Sequence, residues 1–316
     1  MPPFSPALRR LALPARIALT FAIGGWVYSR VDWHGLGQSV EAASASELAV
    51  AMALQVVAAF VAAQRWRLLL RAGGIVVSLW SALRLSLIGL FFSLFMLGST
   101  GGDALRFTEA LRHAPGRKAA LLLSLVQDRA FGLGSLLLLL SGLFAAGYRG
   151  RTADEAMRAV IGIVFIGAVA FAASGLVLAL AKTASAGVAG LASNRAWGLV
   201  VSGYPGPLSL PVLGLSLLNH ALNMASACFV AWALGISLPA CSVSVIFGVA
   251  AILLSLPITI AGIGVRDGSL IWLFGTFGMH ASGLALAFSF CLLGINCFWA
   301  AMGGFAFYLP RQEAAK

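Results

Sequence analysis

The sequence predicts an all-α polytopic membrane protein, on three observations. Hydrophobic residues make up 60% of its 316 residues and charged residues only 10%. Mean hydropathy is +0.97, whereas soluble domains carry about 25% charged residues. Several apolar runs reach the roughly 20 residues that a helix needs to cross a bilayer.

Full spans are expected near residues 14–29, 47–64, 119–145, 157–181, 208–234 and 284–309. Arg9 and Arg10 precede the first, and Arg16 stands at its start. The cleavage-like Ala43-Ser44-Ala45 lies well beyond its end, too far for a signal peptidase, so an uncleaved span is expected.

Two further segments, 79–98 and 243–260, are apolar and then broken by glycine. The first runs into "FMLGSTGGDALRFTEALR", the second into "AGIGVRDGSLIWLFGTFG". If the first crosses completely, loop Lys and Arg divide more evenly between the two sides. If it turns back as a re-entrant hairpin, they gather on one side, as the positive-inside rule favours. Treating 243–278 the same way from the other side gives an inverted repeat of about six full spans and two broken-helix hairpins. The whole chain is then one integral membrane domain, 1–316, with half-repeats at 1–150 and 151–316. Both termini are expected in the cytoplasm. Ser93-Leu94 and Gly102 recur as Ser255-Leu256 and Gly264 at a common offset of 162 residues. Inverted repeats with broken helices are a frequent transporter design.

Unwound backbone in hydrocarbon survives only where it lines a polar cavity. Gly98, Gly101 and Gly102 at one break, and Gly262 and Gly264 at the other, permit unwinding. Freed amides at a new helix start would form a backbone anion site. Asp103 is placed to cap the helix after the first break, with Arg106 one turn on. Asp267, next to Arg266, is placed to cap the second. Caps and snorkelling side chains are the bland alternative for both pairs.

Within an apolar span stand Gln127, Asp128 and Arg129. Ionisable residues at membrane depth are costly and mark functional sites by default. Neighbours on a helix point about 100° apart, so Asp128 and Arg129 are expected to find partners elsewhere. Asp103, Arg106, Asp128, Arg129, Arg266 and Asp267 are therefore the candidate headgroup-binding residues. Gln127, Asn219 and Asn223 are candidates for lining a pathway, with helix–helix hydrogen bonding the plainer reading of the asparagines. Arg84 is expected to snorkel to headgroups, and Arg65-Trp66-Arg67 to anchor a span at the interface.

The net charge of +11 belongs to loops between spans, which argues for anionic lipid contacts and against nucleic acid. The four cysteines form no CxxC pair, and the four histidines have no metal-ligand spacing. No metal or other cofactor is expected. "GIGVRD" lacks the final glycine and the βαβ context of a dinucleotide site, and HExxH, P-loop and GxSxG motifs are absent.

At "RWRLLLRAGG", "GGDALRFTEALR", "QDRAFGL" and "ITIAGIGVRDGSLIWLFG" the chain resembles the transmembrane, flippase-like region of lysylphosphatidylglycerol synthases and its stand-alone relatives. The resemblance covers nearly the whole chain. Its Gly-acid-x-x-Arg break maps onto Gly102-Asp103 with Arg106. The acid-Arg pair maps onto Asp128-Arg129, and the late Gly-x-Gly-x-Arg-acid break onto Gly264 with Arg266-Asp267. No aminoacyl-transferase domain follows the last span, so lysyl transfer is not expected. The resemblance implies translocation of an envelope lipid, of an anionic, aminoacylated, polyprenyl-linked or hopanoid type, in a bacterial inner membrane. The alternatives are an enzyme acting on a lipid-linked phosphate or sugar, and a non-catalytic partner of a lipid-modifying enzyme. An enzyme is not the expectation, because every candidate Asp has an Arg within three residues.

Overall fold

A computed structural model describes residues 25, 28, 29, 32–97, 99–147, 155–185, 209–255 and 264–308. These residues form ten α-helices and one π-helical turn, with no strand among them. In chain order the helices are α1 (Trp33–Glu41), α2 (Ala45–Ala72), α3 (Leu79–Phe92), α4 (Ser99–His113) and α5 (Lys118–Gly147). Then come α6 (Glu155–Ser185), α7 (Ser209–Ala233), α8 (Ala240–Ser255), α9 (Val265–Thr276) and α10 (Ser282–Tyr308). Of these, α2, α5, α6, α7 and α10 are long and apolar enough to cross a bilayer, while α3 and α8 are shorter apolar helices. The protein is an all-α polytopic membrane protein. The expected first span, 14–29, lies almost wholly outside the described residues.

The scaffold is the antiparallel pair α2–α7. Ser226 Oγ donates to Ala51 O at 3.0 Å, and Gln55 Nε2 to Asn223 Oδ1 at 3.1 Å. Asn219 Nδ2 donates to Ala58 O at 2.9 Å. Small residues let the two backbones approach, and these bonds fix their register. Both helices stop in the same way. After α2, Gly74 adopts φ 73° and Ile75 N bonds Leu70 O; after α7, Gly235 adopts φ 71° and Ile236 N bonds Ala231 O. Each is a glycine-closed helix end with an apolar residue folded over it.

The bundle therefore has two ends. At one, α2 finishes, α3 starts, α4 finishes and α5 starts. Arg117 Nη1 donates to Gly73 O at 3.2 Å, and Arg67 Nε to Val77 O at 3.0 Å. Ile75, Val77, Ala110, Ala114 and Leu121 bury together there. At the other end α2 starts beside the finish of α7, where Ser44 N donates to Ala233 O. Also at that end, α8 starts after Gly235, and α10 starts where a Cβ on Gly283 would meet Asp32 O.

The first broken segment is an antiparallel hairpin. α3 runs into the π-helical turn Ser93–Leu97, and α4 returns along it. Gly89 and Gly102 are the contact points. A Cβ on Gly102 would strike Gly89 O and Ser93 Oγ, and one on Gly89 would lie 2.5 Å from Arg106 carbons. Both arms open at the end where α2 finishes. α8 and α9 form a second pair, opening at the opposite end, with the connecting residues 256–263, including Gly262, outside the description.

Two expectations about the first break are corrected. Gly101 and Gly102 do not unwind: both lie within α4, whose backbone bonds close helically, and Gly102 serves close packing instead. Asp103 is not an N-cap, because α4 already starts at Ser99. Gly98 falls outside the described residues. Arg84, expected at headgroups, donates Nε to Ala306 O at 3.0 Å, a cation against the carbonyl end of α10.

Candidate functional site

Asp128 and Arg129 do part company, as their 100° separation demands, and α5 delivers them to different partners. Asp128 is buried at 7% exposure. Its Oδ1 accepts from Arg65 Nε and lies 2.9 Å from Arg65 Nη2. Its Oδ2 lies 3.5 Å from Arg106 Nη1. Arg129 instead reaches Asp103 Oδ2, with Nη2 at 2.8 Å and Nε at 3.1 Å. Arg106 also faces Asp103 Oδ1, at 3.8 Å. Helices α2, α4 and α5 thus supply five charges to one cluster: Arg65, Asp103, Arg106, Asp128 and Arg129.

Trp66 floors the cluster. Its ring is fully buried, and the Arg106 guanidinium carbon sits 4.1 Å from the ring centroid. A cation over an indole face gains about 2 kcal/mol or more where water is excluded. The Nε–H of Arg106 and the Nε1–H of Trp66 are both buried and have no hydrogen-bond partner among the described residues. His220 Nε2 contacts Gly132 O at 2.9 Å one turn along α5.

Arg65 and Trp66 were expected at the interface, and the structure corrects this. Arg65 lies seven residues inside the Ala72 end of α2, about 10 Å deep by helical rise. Asp128 lies ten residues inside the Lys118 end of α5, about 15 Å deep. The legible signal was an arginine–tryptophan pair inside an apolar run, with Ala58 and Leu70 on either side.

The cluster opens to one flank. The Arg129 side chain is 56% exposed and that of Asp103 27%. Arg129 stands on the stripe of α5 that also exposes Leu122, Val126 and Leu133. Gln127 points elsewhere, lining an apolar crevice of about 440 Å³ between α5, α6 and α7 with Phe131, Phe171 and Leu213. Asn219 and Asn223 sit in the α2–α7 seam, where Asn223 Nδ2 donates to Asn219 O at 2.7 Å.

Arg266 and Asp267 form a separate cluster. They were grouped with the residues of the first break as candidate headgroup binders, but among the described residues their bonds close within their own cluster. Arg266 Nη2 and Nε donate to Asp267 Oδ1 at 2.8 and 3.0 Å. Ser289 Oγ of α10 donates to the same oxygen at 2.5 Å and accepts from Arg266 Nε at 2.7 Å. Tyr28 OH donates to Asp267 Oδ2 at 2.7 Å. Gly264, at φ 79°, donates its amide to that oxygen at 3.3 Å, so Asp267 caps α9 from its third position, reaching backwards. Asp267 is fully buried and Arg266 nearly so. Ser289 lies seven residues from the Ser282 end of α10, about 10 Å deep from the end opposite to the Arg106 cluster. Sequence reasoning missed Tyr28 and Ser289, since a lone tyrosine and serine carry no spacing signal.

Fold and site together define a polytopic helical membrane protein with two buried ion clusters, one rich in arginine and one a single Arg–Asp pair. The family model of the lysylphosphatidylglycerol synthase TM region matches residues 14–300, and the chain belongs to that family. Comparison with curated proteins and with solved structures found no match. The family ties the chain to membrane lipid chemistry.

Proposed function

We propose that the protein is a lipid translocator of a bacterial inner membrane, moving a lipid with an anionic headgroup between leaflets without a nucleotide motor. The observation that carries this reading is the Arg106 cluster. A guanidinium with an unpartnered Nε–H lies deep among apolar helices, next to an Asp103–Arg129 pair exposed on the flank. A phosphate on such a lipid accepts hydrogen bonds from arginine in pairs, and arginine keeps its charge at any working pH. Asp103 and Asp128 hold the arginines in place between cargoes. Acyl chains stay in the bilayer beside the Leu122–Val126–Leu133 stripe.

The reading includes a topology. Arg67, Arg71, Arg112, Arg117 and Lys118 gather at the end where the first hairpin opens. Among the described residues the other end carries Asp32, Glu41, Glu47 and Arg158. The basic end is the cytoplasmic one by the positive-inside rule. Hairpins opening at opposite ends fit an inverted repeat, with one ion cluster in each leaflet.

The test is headgroup accessibility in proteoliposomes, with a fluorescent anionic lipid quenched by a membrane-impermeant reductant. Wild type is expected to expose the inner-leaflet label faster than protein-free vesicles, and Arg106→Ala to slow this about tenfold or more, the equivalent of about 1.4 kcal/mol. A wild type no faster than empty vesicles sinks the translocator reading.

A further inference from the structure

The Arg106 cluster does not balance its charges. Arg65 and Asp128 pair at 2.9 Å, and Arg129 and Asp103 at 2.8 Å. Arg106 is left with their far oxygens, at 3.5 and 3.8 Å. Among the described residues, three arginines against two aspartates leave one positive charge. The charges acting on Arg106 are those of Asp128, Asp103, Arg129 and Arg65. The next acid on α4, Glu109, pairs with Arg112 at 3.3 Å. Trp66 adds a quadrupole and no net charge. In the second cluster one arginine meets one aspartate, and both carboxylate oxygens are hydrogen-bonded, so that site is neutral and closed.

We infer that the Arg106 site takes one singly charged group, a phosphodiester, and discriminates against doubly charged phosphomonoesters and diphosphates. This rests on the headgroup reading above and narrows it. A phosphodiester brings the desolvated cluster to zero and supplies the acceptor that Arg106 Nε–H lacks. A dianion leaves one uncompensated negative charge among apolar helices, where charges interact far more strongly than in water. An uncharged headgroup leaves the surplus charge in place. The source of the phosphodiester is a lipid, because the cluster opens to an apolar flank and lies about 10–15 Å inside the helix ends, by helical rise.

The experiment uses the full chain in neutral maltoside micelles at about pH 9.5, well above the second ionisation of a phosphomonoester, which lies at about 6 in water and higher at an interface. The probe is a fluorescent phosphatidylmethanol, whose headgroup carries one phosphodiester charge and no hydroxyl or amine. Competitors are unlabelled phosphatidylmethanol, phosphatidic acid, diacylglycerol and the soluble dimethyl phosphate. Wild type is expected to prefer phosphatidylmethanol over phosphatidic acid by about tenfold or more, a 1.4 kcal/mol difference. Diacylglycerol and dimethyl phosphate should compete poorly. Asp103→Asn, nearly isosteric, raises the site to two positive charges and should reverse the order of the two charged lipids. Arg106→Lys should keep the wild-type order, and Arg106→Gln should lose it.

Equal or tighter phosphatidic acid binding by wild type overturns the inference, as does an unchanged order in Asp103→Asn. Dimethyl phosphate competing as well as the lipid assigns the site to a soluble phosphodiester instead. If Arg106→Gln fails to fold, the Asp103→Asn order still decides. A correct order without lipid movement in vesicles removes translocation and leaves this assignment standing.

Discussion

The guanidinium of Arg106 lies over the ring of Trp66, 4.1 Å from its centroid, on a floor that is fully buried. The contact joins α4, the return arm of the first hairpin, to α2, the scaffold helix. Trp66→Ala removes both the floor and a large buried side chain. A loss of about 3–5 kcal/mol is expected, read as a fall in melting temperature in detergent. Trp66→Phe keeps an aromatic face and should recover more than half of it. Equal melting of the two variants would exclude the stacking contribution.

Asp128 sits between two arginines, so its removal strands charge. Asp128→Ala should cost about 3–5 kcal/mol, the usual result of breaking one side of a buried pair. Arg65→Met combined with Asp128→Leu should cost less than Asp128→Ala alone, since no member of that pair is left unpaired. A double-mutant cycle measures the coupling between them; additivity within about 0.5 kcal/mol would show that the 2.9 Å contact does not couple them.

Two glycines of α10 should behave oppositely. A Cβ on Gly303 would meet Leu87 O of α3, a backbone atom, while one on Gly294 meets nothing within 4 Å. Gly303→Ala should destabilise by about 1–3 kcal/mol, as overpacking does. Gly294→Ala should be neutral or gain up to about 1 kcal/mol from helix propensity. Thermal unfolding of the two variants side by side checks the α3–α10 contact.

Tyr28→Phe deletes one hydrogen bond to a charged, buried carboxylate. A cost of about 1.5–3 kcal/mol is expected, with the order of lipid preference at the Arg106 site unchanged. A change in that order would show that the two clusters communicate.

The hairpin makes a topological prediction. In a background with Cys228, Cys241, Cys291 and Cys297 replaced by serine, Ser78→Cys and Pro115→Cys should react with an impermeant maleimide from one side of the membrane. Glu41→Cys should react from the other. Labelling of residues 78 and 115 from opposite sides would make the first broken segment a full crossing.

Much of this fold was legible because a bilayer imposes a simple grammar of long apolar runs with charges between them. The interruption between α3 and α4 was visible from glycine and charge placement. What the sequence misassigned were side-chain destinations. Gly102 reads as a breaker, yet the α3–α4 contact needs a bare Cα at that point, and packing overrode propensity. Arg65 reads as an interfacial anchor because a chain on paper has no neighbour for it; only the approach of α2 to α5 supplies Asp128. Arg266 and Asp267 bond as neighbours where Asp128 and Arg129 do not. In the second cluster Asp267 curls back to cap α9, and the long arginine bends around to meet it.

Arg129 has a consequence outside the protein. Its charge faces the bilayer roughly 16 Å inside the Lys118 end of α5, by helical rise. The exposed side chains of Val126 and Leu133 flank it along the same stripe. Hydrocarbon does not tolerate a charged pair there, and the membrane responds to such residues by thinning and admitting water. A leaflet lying against this flank of α5 would dimple towards Arg129. On the translocator reading, such a dimple would do part of the work of bringing a headgroup inward before any helix moves.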